Sequence, residues 1–166
     1  MLSSEPTKNI RGFFCKRLFF LLFLPQTIKQ TSTFMNKQRV YIERNLHSKS
    51  GNIIWKIIST EGGLSKWIAD EVVEEDGKFR FMWGDPYGSH EVREAKIMEV
   101  VKGEYIKIMW EDETDPEAVI ELRMTRNDIT GDFVLHVTDW AEPDDVESLE
   151  DIWDQNFEQL HRTCGL

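Results

Sequence analysis

Cysteine and histidine are scarce in this sequence of 166 residues, which contains two cysteines and four histidines. Cys15 and Cys164 lie near opposite ends of the chain, and neither belongs to a cluster of Cys and His residues of the kind that holds a metal ion. The histidines lie in different predicted elements: His47, His90, His136 and His161. The sequence therefore predicts no metal site, no cofactor and no disulfide framework, and we expect a reducing compartment, the cytoplasm.

Long apolar runs are also missing. The seven apolar residues 18–24 follow Lys16 and Arg17 in the manner of a secretory signal, but they are too few to span a bilayer as a helix. Three interpretations of residues 1–34 stay open: a start placed too far upstream, with Met35 as the natural first residue, a signal or lipid-associated leader, or a genuine extension. We expect one domain over residues 35–166 and no membrane span.

Basic residues are in the minority over that domain. Residues 1–34 contain five basic residues and one acidic residue, which leaves 15 basic and 29 acidic residues from Met35 onward, a net charge of −14. Nucleic acid is a poor partner for such a domain, because neutralising phosphates requires clustered lysine and arginine. The acidic excess indicates either solubility or a basic protein partner.

The sequence also lacks a recognisable set of catalytic residues. Catalysis requires a nucleophile with its base, a metal cluster, or paired acids directed at one site. None of these patterns stands out in the chain, so we predict no catalytic residue and favour a protein that is not an enzyme.

What the sequence does contain is a clear order of elements. A strand is predicted over residues 38–45, followed by a helical segment that ends at Gly62-Gly63 and a second short one over 64–68. Six strand-like segments follow, joined by turns and without a helix between them: 70–75, 78–83, 90–101, 105–111, 118–125 and 133–140. A bulge is expected near Val100-Val101 in the long strand 90–101. Strands joined in sequence by short turns form an antiparallel meander with one apolar and one charged face.

The chain closes on a long amphipathic helix, predicted over about 144–164. Its apolar residues recur at gaps of three and four: Val146, Leu149, Trp153, Phe157, Leu160 and Cys164. About twenty residues at 1.5 Å each reach roughly 30 Å, so this helix alone is long enough to cover the apolar face of the sheet. The predicted fold is α+β, with one antiparallel sheet wrapped around a long C-terminal helix.

Particular segments within this order carry a family resemblance. They are Trp55, Leu64-Ser65-Lys66-Trp67, Gly77-Lys78-Phe79-Arg80-Phe81, the segment 104–110, and Trp153 with Leu160. Residues 38–164 resemble the helix-grip fold of the START-like superfamily, in the branch of the Hsp90 ATPase activators and the polyketide cyclases, and most resemble its small bacterial members. The resemblance implies a small hydrophobic ligand, such as a lipid or a polyketide, held between sheet and helix, or a protein partner as in the Hsp90 activators. A cyclase or hydrolase is a further alternative.

Aromatic side chains are the candidate lining of such a cavity. Those expected to point inward are Phe79, Phe81, Trp83 and Trp110 on the sheet, and Trp153 and Phe157 on the helix. A filled core and a ligand-sized pocket both fit this set. Candidate polar anchors are Arg93 and Tyr105, whose facing the sequence leaves open, and Asn156 at the edge of the helical stripe. Trp55 and Trp67 are expected to pack the short helices into the core.

The outward face of the same helix supports the alternative of a protein-binding module. It is acidic, with Glu147, Glu150, Asp151, Asp154 and Glu158. A charged face of this kind also occurs on helices that are simply solvated.

Overall fold

The computed structural model describes residues 37–166, so the predicted N-terminal extension and Cys15 lie outside the described residues. The first elements are β1 (Gln38–Leu46), α1 (Gly51–Ser59) and α2 (Glu61–Leu64). Six strands follow: β2 (Glu71–Glu75), β3 (Lys78–Gly84), β4 (His90–Val101), β5 (Tyr105–Trp110), β6 (Ile120–Arg126) and β7 (Phe133–Ala141). A 3-10 turn, Pro143–Asp145, leads into α3 (Val146–Cys164). The predicted order of elements and the α+β helix-grip class are confirmed.

All seven strands form one antiparallel sheet in the order β1-β7-β6-β5-β4-β3-β2. Strands β2 to β7 follow one another as a meander, and β1 completes the sheet beside β7. α1 and α2 therefore carry the chain from one edge of the sheet to the other. Trp67, which follows α2, contacts Trp153 and Phe157 of α3, so the short helices and α3 lie on the same side of the sheet.

The predicted position of a bulge in β4 was wrong. We expected it near Val100-Val101, but those residues keep regular pairing with Ile106 and Tyr105, and the register shifts between Ile97 and Glu99 instead. The turn after β4 contains Gly103 with φ of +81°, a conformation that favours glycine. The irregularity of β4 therefore lies inside the strand, several residues before the turn.

The boundaries of the two short helices also differ from the prediction. α1 ends at Ser59 because Thr60 is extended, with φ −123° and ψ 151°, and the Thr60 hydroxyl accepts a hydrogen bond from Gly63 N at 3.1 Å, which caps α2. The predicted helix 64–68 is a turn in which Ile68 N donates to Leu64 O at 2.9 Å. Gly-Gly ends neither helix, since Gly63 lies inside α2.

Alternation along the strands divides the sheet into a buried face and a charged face. The buried face carries large side chains from strands β3, β5, β6 and β7: Phe79, Phe81, Ile106, Ile108, Ile120, Leu122, Met124, Leu135 and Val137. α3 covers this face with Leu149, Trp153, Phe157 and Leu160, all buried. The predicted apolar stripe and its position over the sheet are confirmed.

Within residues 37–166, no helix combines the length and the apolar character needed to cross a membrane.

Candidate ligand-binding cavity

A half-open cavity of about 120 Å³ lies between the inner face of the sheet and α3. Its wall is formed by strands β3 to β7, by the first half of α3, and by the segment that follows α2. The apolar lining residues are Ile68, Phe81, Trp83, Ile108, Trp110, Ile120, Leu122, Leu149, Ile152 and Trp153. The core between sheet and helix is therefore not completely filled by side chains.

Three aromatic rings on β3 and β5 form one wall of the cavity. Phe81 stacks on Trp83 with ring centroids 5.9 Å apart, and Trp110 meets Phe81 edge-on at 5.3 Å. Trp83 Nε1 donates to Ile68 O at 2.8 Å, so its one polar atom is satisfied by the backbone. These contacts hold the rings in place and leave an apolar surface that suits a hydrophobic ligand.

Asp139 on β7 brings a carboxylate to the same cavity. Among residues 37–166, Asp139 is the one charged residue that is buried, with 7% of its surface exposed, and it lines the cavity. Trp140 N donates to Asp139 Oδ1 at 2.8 Å, and the indole Nε1 of Trp153 donates to Asp139 Oδ2 at 2.9 Å. Each carboxylate oxygen thus accepts one hydrogen bond, which leaves part of its capacity unused.

Burial dominates the electrostatics of this carboxylate. Removal from water raises the pKa of Asp139 to about 6, because the charged form loses its hydration. The two N–H donors and the positive charges of Arg93 and Lys37 act in the opposite direction and favour the ionised form. Asp139 therefore changes its charge within the physiological pH range.

Arg93 on β4 supplies the positive charge at the cavity. Its guanidinium carbon lies 4.1 Å from the centroid of the Trp110 ring, and its Nη2 donates to Asp112 Oδ1 at 2.9 Å. Asp112 is half-exposed, so the outer end of the arginine is held at the protein surface. The Nε of Arg93, in contrast, is buried and meets no acceptor. A buried donor without an acceptor is unusual and calls for an explanation.

Six of the residues predicted for the site meet at this cavity. They are Phe81, Trp83, Trp110 and Trp153 from the aromatic set, and Arg93 and Asn156 from the polar set. Asn156 lies one turn after Ile152 and Trp153 on the same side of α3, and all three line the cavity. Their part in binding a ligand stays a prediction.

The other three predicted residues lie elsewhere. Phe79 is fully buried and packs edge-on against Phe81, with ring centroids 6.1 Å apart. It lies in the core beside the cavity and is not part of its lining. Phe157 is one turn beyond Trp153, where it packs on Trp67 at 5.7 Å. Tyr105 precedes the inward-facing Ile106, so alternation places it on the outer face, where its hydroxyl donates to Glu99 at 3.0 Å.

The two tryptophans assigned to core packing lie away from the cavity lining. Trp67 is completely buried, and its Nε1 donates to Ile57 O in α1 at 3.3 Å. Trp55 is partly buried against the core. Trp67 thus joins the short helices to α3 through its contacts with Phe157 and Trp153.

The prediction missed Asp139, although a signal for it was present. Leu135 and Val137 alternate in the predicted strand 133–140 and lie on the inner face, and the same alternation two residues further places Asp139 on that face. A carboxylate at an inward position of a strand is rare without a partner or a function. Continuing the alternation to the end of β7 would have found it.

Among residues 37–166, no group of three or more His, Cys, Asp or Glu side chains is arranged to hold a metal ion.

An antiparallel sheet that grips one long C-terminal helix, with an apolar cavity between them, defines a helix-grip protein. The family model described as START-like superfamily domain matches residues 34–166. The chain belongs to the START-like superfamily, and the resemblance read from the sequence is confirmed.

Solved structures agree with this assignment. BfR322 from Bacteroides fragilis, a solution NMR structure, is 37% identical over 80% of this chain and 94% of that chain, with a TM-score of 0.54. The Aha1 dimer from Colwellia psychrerythraea is 14% identical over 77% of this chain and 98% of that chain, with a TM-score of 0.58. CalU16 from Micromonospora echinospora is 14% identical over 76% of each chain, also with a TM-score of 0.58. The likeness to the last two concerns the fold. No curated protein matches the chain.

Proposed function

We propose that this protein binds a small hydrophobic molecule in the cavity between its sheet and α3, without transforming it. The observation that carries the proposal is the cavity itself, with its wall of Phe81, Trp83 and Trp110 and its few polar groups. Pockets for small molecules are mostly apolar and contain a few placed polar groups. Membership of the START-like superfamily supports the proposal, since its domains bind small molecules or proteins.

The volume of the cavity limits the size of what it can enclose. At about 120 Å³ it is smaller than the ~300–1,000 Å³ typical of sites for drug-sized molecules. Its volume is similar to the roughly 150 Å³ of an apolar protein cavity that is large enough to hold benzene. The enclosed part of the ligand is therefore a single ring or a short acyl segment, and a larger lipid-like or polyketide-like molecule extends through the open side.

Toluene is a suitable probe of this proposal, because it offers one apolar ring and no polar group. The protein contains six tryptophans, whose indole N–H signals are resolvable by NMR and assignable with Trp-to-Phe variants. On titration with toluene we expect the signals of Trp83, Trp110 and Trp153 to shift. The signal of Trp140, whose Nε1 donates to Val119 O on the other face of β7, should stay in place.

A variant that fills the cavity provides the control. Ile152→Phe adds a ring at a lining position of α3 and should abolish the shifts, whereas Ile53→Phe makes the same substitution at an exposed position of α1 and should preserve them. If saturating toluene leaves all three cavity tryptophans unshifted in the unmodified protein, the proposed function is wrong.

The outward face of α3 favours a second function, docking of a basic protein partner. The acidic residues of that face, Glu147, Glu150, Asp151, Asp154 and Glu158, are all exposed. Attraction between exposed charges is screened by salt over a Debye length of about 10 Å at 0.1 M. A partner captured at low salt should therefore be released at about 0.5 M NaCl, and charge reversal at Glu150 and Glu158 should prevent capture. Capture that survives both changes would contradict docking on this face.

A further inference from the structure

We propose that the ligand of this cavity carries a hydroxyl group on its enclosed ring, which accepts a hydrogen bond from Arg93 Nε and donates one to the Asp139 carboxylate. The inference rests on the proposed function, because it assigns the chemistry of a ligand in the same cavity. It follows from two polar side chains whose hydrogen-bonding capacity the protein leaves partly unused.

Arg93 provides the donor. Its outer nitrogen is committed to Asp112, and its guanidinium lies over Trp110, so the side chain is held from two sides. Nε is the one buried side-chain nitrogen or oxygen of the described residues that finds no partner. A buried donor without a partner has lost its hydrogen bonds to water and gained none in return, which destabilises the folded state. An acceptor on the ligand removes that cost.

Asp139 provides the acceptor. A carboxylate offers about four lone-pair sites, and the protein supplies one donor to each oxygen, from Trp140 N and Trp153 Nε1. The ion pair of Arg93 is with Asp112 rather than with Asp139, and both Arg93 and Asp139 line the cavity. A group that both accepts and donates satisfies both of them at once.

The two charges also exclude other ligand classes. A carboxylate on the ligand would accept from Arg93 but would face the negative charge of Asp139 in a poorly hydrated site. An ammonium group would pair with Asp139 but would face the guanidinium of Arg93. An ether oxygen accepts from Arg93 and offers nothing to Asp139. A neutral hydroxyl is the simplest group that fits both sides.

A series of four para-substituted toluenes tests this inference on the unmodified protein, with the Trp153 indole signal as readout. The probes are toluene, 4-methylphenol, 4-methylanisole and 4-methylbenzoate. Because a hydrogen bond to a charged group contributes about 1.5–3 kcal/mol, we expect 4-methylphenol to bind about 10-fold or more tightly than toluene at pH 8. The anisole should bind no more tightly than toluene, and the benzoate should bind most weakly.

Substitution at Arg93 tests the donor side. Arg93→Lys keeps a positive charge at the end of the side chain, near Asp112, but removes Nε. It should therefore cancel most of the difference in affinity between 4-methylphenol and toluene. Arg80→Lys is the matched control, since Arg80 lies on the charged face of β3 and pairs with Glu94. It should leave this difference unchanged.

The outcomes separate this inference from the proposed function. Equal binding of toluene and 4-methylphenol overturns the hydroxyl assignment and leaves apolar binding intact. Tighter binding of 4-methylbenzoate than of 4-methylphenol also overturns it, because the carboxylate of Asp139 would then not control the choice. If none of the four probes shifts the cavity tryptophans, both proposals are wrong.

Discussion

Asp139 is the residue at which the stability of the fold and the proposed ligand site make opposite demands. Its carboxylate is buried in an otherwise apolar cavity, where only Trp140 N and the Trp153 indole donate hydrogen bonds to it. A residue chosen for stability at this position would be apolar, like its neighbours Leu135 and Val137 on the same face. A buried titratable group with a raised pKa in a cavity is typical of a functional site.

The pH dependence of stability should reveal this cost. The pKa of Asp139 is raised to about 6, above its value near 3.9 in the unfolded chain, so the folded state binds the proton more tightly. Its contribution is favourable below the unfolded pKa and is lost as pH rises through about 6. Between pH 5 and pH 8 the unfolding free energy of the unmodified protein should fall by about 1–2 kcal/mol relative to Asp139→Asn.

Urea unfolding at several pH values measures this difference. Asp128→Asn, a substitution at an exposed carboxyl in the turn before β7, serves as the control. Because this variant retains Asp139, its unfolding free energy should fall relative to that of Asp139→Asn as it does in the unmodified protein. If the unfolding free energies of the unmodified protein and Asp139→Asn differ by the same amount from pH 5 to pH 8, the pKa of Asp139 is not raised by folding.

The indole of Trp153 sets part of that pKa. Its Nε1 donates to Asp139 Oδ2 at 2.9 Å, and this bond favours the ionised carboxylate. Trp153→Phe keeps an aromatic ring and removes the donor, so the pKa of Asp139 should rise above about 6 and stability at pH 8 should fall by about 1–3 kcal/mol. The carboxyl carbon shift of Asp139, followed by NMR over pH, measures the first effect.

Trp140→Phe is the matched control for this substitution. The indole of Trp140 donates to Val119 O, whereas only its backbone nitrogen contacts Asp139, and that nitrogen remains in the variant. The pKa of Asp139 should therefore be unchanged in Trp140→Phe. Equal shifts in both variants would mean that the indole of Trp153 does not act through its hydrogen bond.

At the scale of the element, the contact between α1 and α2 depends on a single glycine. A Cβ built on Gly63 would lie 2.0 Å from Lys56 O and 2.6 Å from Ile57 Cα, both backbone atoms that no side-chain rotation can move away. Gly62, the neighbouring residue in the same helix, has no atom within 4 Å of its Cβ position. The pair therefore offers a test of close packing with its own control.

Gly63→Ala should destabilise the protein by about 3 kcal/mol, because overpacking a close contact forces the backbone of α1 and α2 apart. Gly62→Ala should be neutral or stabilise by up to about 1 kcal/mol, since alanine is the better helix former. Urea midpoints of the two variants measure the difference. Similar midpoints for both would show that α1 and α2 are not in close contact at Gly63.

The elements with a strong period were predictable, and their boundaries were less so. Alternation in β3, β5 and β6 and the three-and-four spacing in α3 reflect one buried face, and burial of that face is what the fold requires. The end of α1 depends instead on the extended backbone of Thr60 and the cap that its hydroxyl provides, which residue spacing does not encode. Gly-Gly suggested an end there, but Gly63 is needed for a close approach.

The candidate site was predictable to the same extent. Phe81, Trp83 and Trp110 followed from alternation, and Tyr105 could have been excluded by applying the same rule to Ile106. Phe157 lies on the correct face of α3, but the cavity ends one turn before it, and the length of a cavity depends on how far sheet and helix diverge. That distance is a property of the tertiary packing and not of any local pattern.

At the scale of the molecule, charged side chains cover the outer face of the sheet and the outward side of α3, and apolar side chains fill the space between sheet and helix. The outer face carries ion pairs such as Lys107 with Glu99 at 2.8 Å, and the outward side of α3 is acidic. The inner face holds the core and the cavity with Asp139. Surface pairs of this kind contribute little to stability, so the joining of sheet and helix depends mainly on the apolar contacts around the cavity.

No single element completes the cavity, because its lining comes from five strands, α3 and the segment after α2. The site exists only when sheet and helix are joined, so a molecule bound there should stabilise the whole domain. With free toluene at about ten times its dissociation constant, the unfolding free energy should rise by about 1.4 kcal/mol. This corresponds to an increase of about 0.5–1 M in the urea midpoint. Ile152→Phe, which fills the cavity, should show no increase, and an equal increase in this variant would place the bound toluene outside the cavity.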